Sequence, residues 1–316
     1  MKLHKIQHSG DEIRFDRYLK KIFPSIKQSS IEEFIRKKKF LMNDIDRKLT
    51  SGFRVKNDDI ILIHEEIWEQ YNYEISSKKI KAQYKPTLQI IDLFKKAIIF
   101  ENENFLVLNK PVNFSCQGGS NVIHSIDEIM KFIYGEEIRI VHRLDRKTSG
   151  ILLMGKNLKY AQILTKLFKE KLIKKTYYAI CENDIDNLNQ EKKKILNFQK
   201  VIIDRSMRSK VFSGEEKIVI DDEYGNEAIS EVELIKKIDC NLFLLKIKPK
   251  TGRKHQIRVH LSSIGFPILG DTKYNDKKSF CKNMFLHAGE IKISEKDLKF
   301  QIKCDLPEYF ENLLKN

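Results

Sequence analysis

A chain of 316 residues, 41% of them hydrophobic, can bury a sizeable core, and its length favours one full domain plus a smaller module. No apolar run reaches the roughly 18–20 residues of a membrane span, and the start MKLHKIQHSGDEIRF lacks an apolar signal region, so a cytoplasmic protein with no membrane partner is expected. The five cysteines are odd in number and hold no C-x-x-C pair, which argues against a disulfide framework and a zinc site, while a formal charge of +15 points to nucleic acid as partner.

Residues 1–65 read as a small separate module. DRYLKKIF (16–23) and SIEEFIRKKK (30–39) carry apolar residues at helical spacing, with Pro24 and Ser29-Ser30 as break and N-cap signals between them. After FLMNDIDRKL and the polar turn VKNDD (55–59) comes IILIHE, a β-branched run expected as a strand. The module holds 15 Lys and Arg against 10 Asp and Glu, a net +5, and Arg36, Lys37 and Lys38 concentrate this charge at the end of the second helix as candidate RNA contacts. The order helix, helix, Asn-bearing turn and strand resembles an S4 RNA-binding domain. The chain departs from that family in having no Arg near Gln28, and Lys39 where a Gly usually precedes the Asn-bearing turn.

Residues 66–95 show weak periodicity and a Lys-Pro break, and read as a linker whose end docks on a domain at 96–316. In that domain FLVLN (105–109), GILLMGK (150–156), KTYYAIC (175–181), EVELIKKI (231–238), NLFLLKIK (241–248) and FLHAGEIKI (285–293) read as strands. Helical spacing occupies 122–134, 157–170 and 253–264. Many strands and few helices without strict βαβ alternation predict an α+β domain with a mixed, largely antiparallel sheet. DIDNLNQEKKKI (184–195) is polar and reads as a surface excursion.

Two apparent motifs fail on physical grounds, and a third is absent. GILLMGKN matches the letters of a phosphate loop, but Ile-Leu-Leu-Met is a buried strand and Asn157 stands where Ser or Thr would hold Mg²⁺. HQIRVH sets His255 and His260 five apart, which misses the spacing of a metal-binding helix and lacks its Glu. No G-x-S-x-G nucleophile elbow exists.

Arginine is the sharper clue, because its planar fork matches carboxylate and phosphate and only 12 of the 59 basic residues are Arg. Arg139, Arg143 and Arg146 crowd RIVHRLDRKTSGILLMGK (139–156), and Arg253 and Arg258 share TGRKHQIRVHLSSIG (251–265). In the first stretch Asp145 falls at a strand end leading into a polar loop, where scaffolds present functional groups. Neighbouring cations favour its charged form, so an ionised carboxylate able to act as nucleophile or base is expected; an ordinary loop aspartate paired with Arg143 or Arg146 accounts for the same spacing. In the second stretch a Thr-Gly turn runs into a helix that places Arg258 one turn beyond Lys254 and near His255, where it needs an anionic partner. In KKTYYAIC strand alternation sends Tyr177 to the opposite face from Thr176 and Tyr178, leaving one tyrosine for the core and one to stack on an unpaired base.

Taken together, VLNKP (107–111), HRLDRKTSG (142–150), KTYYA (175–179), GRKHQIRVHL (252–261), GFPILGDTKY (265–274) and FLHA (285–288) resemble, in order, the RluA-type pseudouridine synthases, and CQGGS (116–120) narrows the likeness within that family. The resemblance spans nearly the whole chain and implies a pseudouridine-synthase fold preceded by an S4 domain. It makes Asp145 the catalytic aspartate, Arg258 its ion-pair partner, and Tyr177 the residue that stacks on the target uridine or serves as base. Arg143, Arg146, Arg253, Lys254, His255 and Leu286 become the surrounding substrate and RNA contacts. Lys254 stands where the family commonly has Thr or Ser. The activity implied is isomerisation of uridines in large-subunit ribosomal RNA by a monomer without cofactor or metal, on a base flipped out of its stack. Two other functions compete: a non-catalytic RNA-binding assembly factor, and a hydrolase, which needs two cooperating carboxylates and finds only Asp271 as a candidate second one.

Overall fold

The structure is a computed structural model that describes residues 2–42, 49–76, 85–118, 124–183, 189–275, 281–295 and 298–315, the side chains of 72–76 excepted. The chain forms two compact units, Met1–Tyr84 and Lys85–Asn316.

The first unit runs β1 (Leu3–Gln7), β2 (Ile13–Arg14), α1 (Phe15–Ile22), α2 (Gln28–Arg36), β3 (Phe40–Met42), β4 (Arg54–Val55), β5 (Ile60–His64) and α3 (Glu65–Ser76). Strands pair antiparallel in the order β1-β5-β3, and Phe15, Leu19, Phe23, Ile31, Phe40 and Ile63 form the core between helices and sheet. Both expected helices and the strand at IILIH are present. Asn43 of the expected turn lies outside the described residues. The stretch read as a linker begins as a helix instead: Ile67 is buried in this core, with Trp68 and Tyr71 packed beside it, so the apolar side of α3 belongs to the first unit. His4 stacks on Trp68 at 4.6 Å between ring centres, which ties α3 to β1.

The second unit starts with α4 (Leu88–Lys96), whose Phe94 is fully buried against Phe114, so this unit begins ahead of residue 96. There follow β6 (Ile98–Glu101), β7 (Phe105–Lys110), α5 (Ile126–Tyr134), β8 (Arg139–Ile140), β9 (Ser149–Gly155), α6 (Leu158–Lys169), β10 (Ile173–Glu182), α7 (Gln190–Leu196) and β11 (Val201–Asp204). The chain continues through β12 (Met207–Phe212), β13 (Glu215–Ile220), β14 (Ile229–Lys237), β15 (Leu242–Pro249), α8 (Gln256–Ser263), β16 (Leu286–Glu295), β17 (Leu298–Lys303) and α9 (Glu308–Lys315). One sheet runs β11-β14-β15-β10-β16-β9-β7-β6, with β17 on β16 and β8 on β9; β12 and β13 form a separate hairpin. Its described pairings are antiparallel except β16 with β9, so the domain is α+β with a mixed, largely antiparallel sheet. Among the described residues no helix is long and apolar enough to cross a membrane.

Every residue of β9 is buried, as its unbroken apolar run requires of a central strand, which removes the phosphate-loop reading of GILLMGKN. Asn157, the residue out of place in that motif, caps α6 instead, its side chain accepting from Tyr160 N–H at 2.9 Å. Where β9 crosses to parallel β16, Gly150 has φ of +106°, and a Cβ there would sit 2.3 Å from the Ala288 carbonyl oxygen, so only glycine fits. The polar stretch 184–195 lies outside the described residues up to 188. Its end is α7, which buries Lys192 and Ile195 rather than standing out as a surface excursion.

Candidate active site

Asp145 occupies the loop between β8 and β9, at the edge of a cleft of about 890 Å³ in the second unit. Cleft residues come from the Asp145 loop (His142, Arg143, Leu144), from β10 (Lys174, Lys175, Thr176, Tyr177), from β15 and the turn after it (Lys248, Lys250, Arg253), from α8 (Gln256, Arg258) and from β16 (Leu286). The volume lies within the range of small-ligand sites. The wall is strongly basic, with Lys171, Lys174, Lys246, Lys250 and Lys292 around one aspartate and one glutamate.

Arg258 reaches this cleft from α8 and is 7% exposed. Its Nη1 donates to Asp145 Oδ2 at 3.2 Å, while Nε and Nη2 grip Asp271 at 2.7 and 2.8 Å. The expected Asp145–Arg258 pair is therefore present, but Asp271 is the two-pronged partner that fixes the guanidinium. Asp271 is 2% exposed, and its Oδ1 also accepts the N–H groups of Lys273 and Tyr274. Burial opposes its charge, yet Arg258 and these N–H groups outweigh burial and hold the carboxyl below its ordinary range. With both oxygens engaged, Asp271 cannot serve as the second carboxylate of a hydrolase. Gly270, at φ +77° and packed on Asn283, makes the turn that delivers it.

The turn before α8 is set by Gln256, whose Oε1 accepts from Thr251 Oγ1 (2.7 Å) and Arg253 N–H (3.0 Å) while its Nε2 donates to Ile229 O and Ser230 Oγ. The helix starts at Gln256 rather than 253, because His255 adopts the left-handed conformation (φ +55°) and ends the turn. Lys254 consequently lies outside the helix and outside the cleft lining, paired with Glu216. His255 does line the cleft. Its Nδ1 is 2.7 Å from the Tyr274 hydroxyl, and its Nε2 is 3.8 Å from Asp145 Oδ2. Burial lowers its pKa to about 4 against the opposing pull of Asp145, so the imidazole is neutral at pH 7. The Tyr274 ring also lies under the Arg258 guanidinium, 4.9 Å from its centre.

Tyr177 lines the cleft at 9% exposure, between Ile247 of β15 and Ala288 of β16. A β-bulge between Thr176 and Tyr177 breaks the alternation expected from sequence, so both residues face the cleft while Tyr178 packs against Gly289. Burial, with the charge of Asp145 adding to it, pushes the Tyr177 phenol well above its ordinary range and keeps it protonated.

The other expected contacts divide. Arg143, Arg253 and Leu286 line the cleft, Arg253 with its Nε on the Glu227 carbonyl oxygen. Arg146 does not: its Nε donates to Asn113 O at 3.1 Å, so it braces the neighbouring loop. Arg36, Lys37 and Lys38 are exposed at the end of α2, in the first unit, with Lys37 paired to Glu33. Sequence reasoning missed Lys110, wholly buried, whose Nζ donates to the carbonyl oxygens of Pro111, Phe114 and Arg146 and so staples the loops beside Asp145. Burial brings its pKa down to about 8. The signal was its place directly before a proline in VLNKP, at the end of a largely apolar strand. Gly119 and Ser120 of CQGGS lie outside the described residues.

Asp271 and Arg258 are buried and Asp145 opens on a basic cleft, an arrangement of charge suited to a polyanionic substrate. Residues 104–263 match the RNA pseudouridylate synthase family, and the chain belongs to that family. A protein of Rickettsia conorii named ribosomal large subunit pseudouridine synthase C is 36% identical over 95% of this chain and 96% of its own length. A protein of the same name from Buchnera aphidicola is 31% identical over 98% and 96%. Among solved structures, human RNA pseudouridylate synthase domain containing 4 matches 72% of this chain and 95% of its own with a TM-score of 0.58 at 21% identity, a likeness of fold.

Proposed function

We propose that this RNA pseudouridine synthase isomerises uridines of large-subunit ribosomal RNA in the cytoplasm, with Asp145 as its catalytic carboxylate. The observation that carries the reading is the Asp145 side chain, held by Arg258 at the wall of a cleft rimmed with lysines. Two relatives that match almost end to end are named for the large ribosomal subunit, which supports the substrate.

The reaction breaks N1–C1′, turns the base and joins C5 to C1′; the proton on C5 leaves and N1 gains one, so substrate and product are isomers. It moves no electrons to an acceptor and no phosphoryl group, and a carboxylate nucleophile suits it. The uridine leaves its stack to enter the cleft, where the ring of Tyr177 and the side chain of Leu286 offer apolar surface to the base and Arg143 and Arg253 meet the flanking phosphates. Tyr177 acts as a neutral phenol, as its burial supports. Arg258, clamped on Asp271, is the fixed point against which Asp145 is aimed. The first unit is read as an S4-like RNA grip through Arg36, Lys37 and Lys38, and the protein as a monomer.

The test is tritium release from 5-tritiated uridine in large-subunit ribosomal RNA by wild type and Asp145→Asn. Release by the wild type alone is expected. Equal release by both, or none by either under conditions where RNA is bound, refutes the proposal; the second outcome leaves an RNA-binding assembly factor.

A further inference from the structure

We propose that His255, oriented by Tyr274, is a positioning residue that decides which oxygen of Asp145 meets the uridine; this rests on the reading of Asp145 as the catalytic carboxylate. Arg258 and His255 both address one oxygen of that carboxylate. Arg258 Nη1 lies 3.2 Å and His255 Nε2 3.8 Å from Oδ2, whereas Oδ1 accepts no hydrogen bond from any described residue. The carboxylate is thus held from behind, and Oδ1 is the atom left to the cleft.

Tyr274 settles which imidazole nitrogen carries the proton. Its oxygen accepts from Ile218 N–H at 3.1 Å, and among the described residues the acceptor within reach of its own proton is His255 Nδ1 at 2.7 Å. A hydroxyl donating to Nδ1 leaves the proton of a neutral imidazole on Nε2, on the side of Asp145. At 3.8 Å this N–H is short of a hydrogen bond, a separation that commonly tightens when substrate closes an active site. The backbone supports a dedicated role: a non-glycine residue at φ +55° is a sparsely populated conformation, and here a single such residue ends the turn and begins the helix that carries Arg258. His255 and Arg258 therefore reach Oδ2 from one local piece of chain, and Tyr274 touches both, by hydrogen bond and by its ring face.

Single-turnover rates at saturating RNA and RNA dissociation constants, measured on the full chain, test this. His255→Leu is expected to slow the reaction roughly 10- to 100-fold, the cost of a misaligned nucleophile, with RNA affinity unchanged. His255→Gln, which carries an N–H at similar reach, is expected to recover most of that loss. Tyr274→Phe, which keeps the ring under Arg258 but frees the tautomer, is expected to fall between them. The proposal is overturned by a Gln variant as slow as the Leu variant, by affinity falling in parallel with rate, or by a His255→Leu rate equal to wild type. Should His255→Leu fail to fold, a wild-type rate in Tyr274→Phe overturns it. Asp145→Asn measured alongside separates the two readings: if it stays active both fall, and if it is dead while the His255 variants run at full rate only the positioning role falls.

Discussion

Asp271 and Asp145 share one guanidinium, yet the Asp271 side of Arg258 is sealed, with both carboxylate oxygens bonded, while the Asp145 side opens on the cleft through a single contact. The difference follows from what each carboxylate has around it. Asp271 leaves water almost completely and is compensated by two side-chain and two backbone N–H bonds. Asp145 keeps about a quarter of its side chain exposed and, among the described residues, one oxygen without a partner. A fully satisfied ion pair gives rigidity without reactivity, and a half-satisfied one keeps a lone pair available for chemistry. The guanidinium transmits the rigidity of the first to the second.

The sharpest way to break this contrast is to neutralise each acid in turn. Asp145→Asn is expected to lower turnover by about three orders of magnitude or more, as loss of a nucleophile does, with the thermal midpoint close to wild type. Asp271→Asn strands the Arg258 charge in the interior, and a stability loss of about 3–5 kcal/mol is expected in urea unfolding. Equal stability losses in the two variants would erase the distinction.

Acid sharpens the contrast between buried groups and open ones. Burial lowers His142 to about 3 and His255 and His287 to about 4, all below the ordinary histidine value of 6.5. These groups take up protons in the unfolded chain first, so their contribution is complete above pH 6.5 and drains away as pH falls toward 4. The slope is up to about 1.4 kcal/mol per pH unit for each. Urea midpoints that stay level between pH 6.5 and 4.5 would contradict this. The smallest effect is expected in the first unit, where Arg36→Gln, Lys37→Gln and Lys38→Gln combined should weaken RNA binding a few-fold and reduce its salt slope by up to about 3, with single-turnover rate unchanged. An unaltered salt slope would demote these residues to a solvated face.

The regular elements were largely legible in the chain. The strands at 105–109, 150–156 and 241–248 and the helix at 157–170 announced themselves through local periodicity, which depends on neighbours in sequence. The errors came where tertiary contact overrode that signal. The weak pattern after residue 65 became a helix because Ile67 found a core to enter, and the bulge beside Tyr177 turned two adjacent side chains into one cleft. In the site, the acid and its arginine were legible as motif residues. Lys254 and Arg146 carried the same charge in the same motifs, yet they turned to Glu216 and Asn113, a choice that local sequence does not encode.

By itself, then, the sequence determined the fold class, the basic field and the identity of Asp145 and Arg258 as residues to watch, because charge and periodicity are properties of the chain. Only the folded chain decided that Arg258 is anchored by Asp271, that His255, held by Tyr274, backs onto the Asp145 carboxylate, and that Lys110 closes the loops beside it. Those contacts join residues up to 110 positions apart, from Asp145 to His255, and side-chain geometry at that separation exists only once the sheet has brought the strands together.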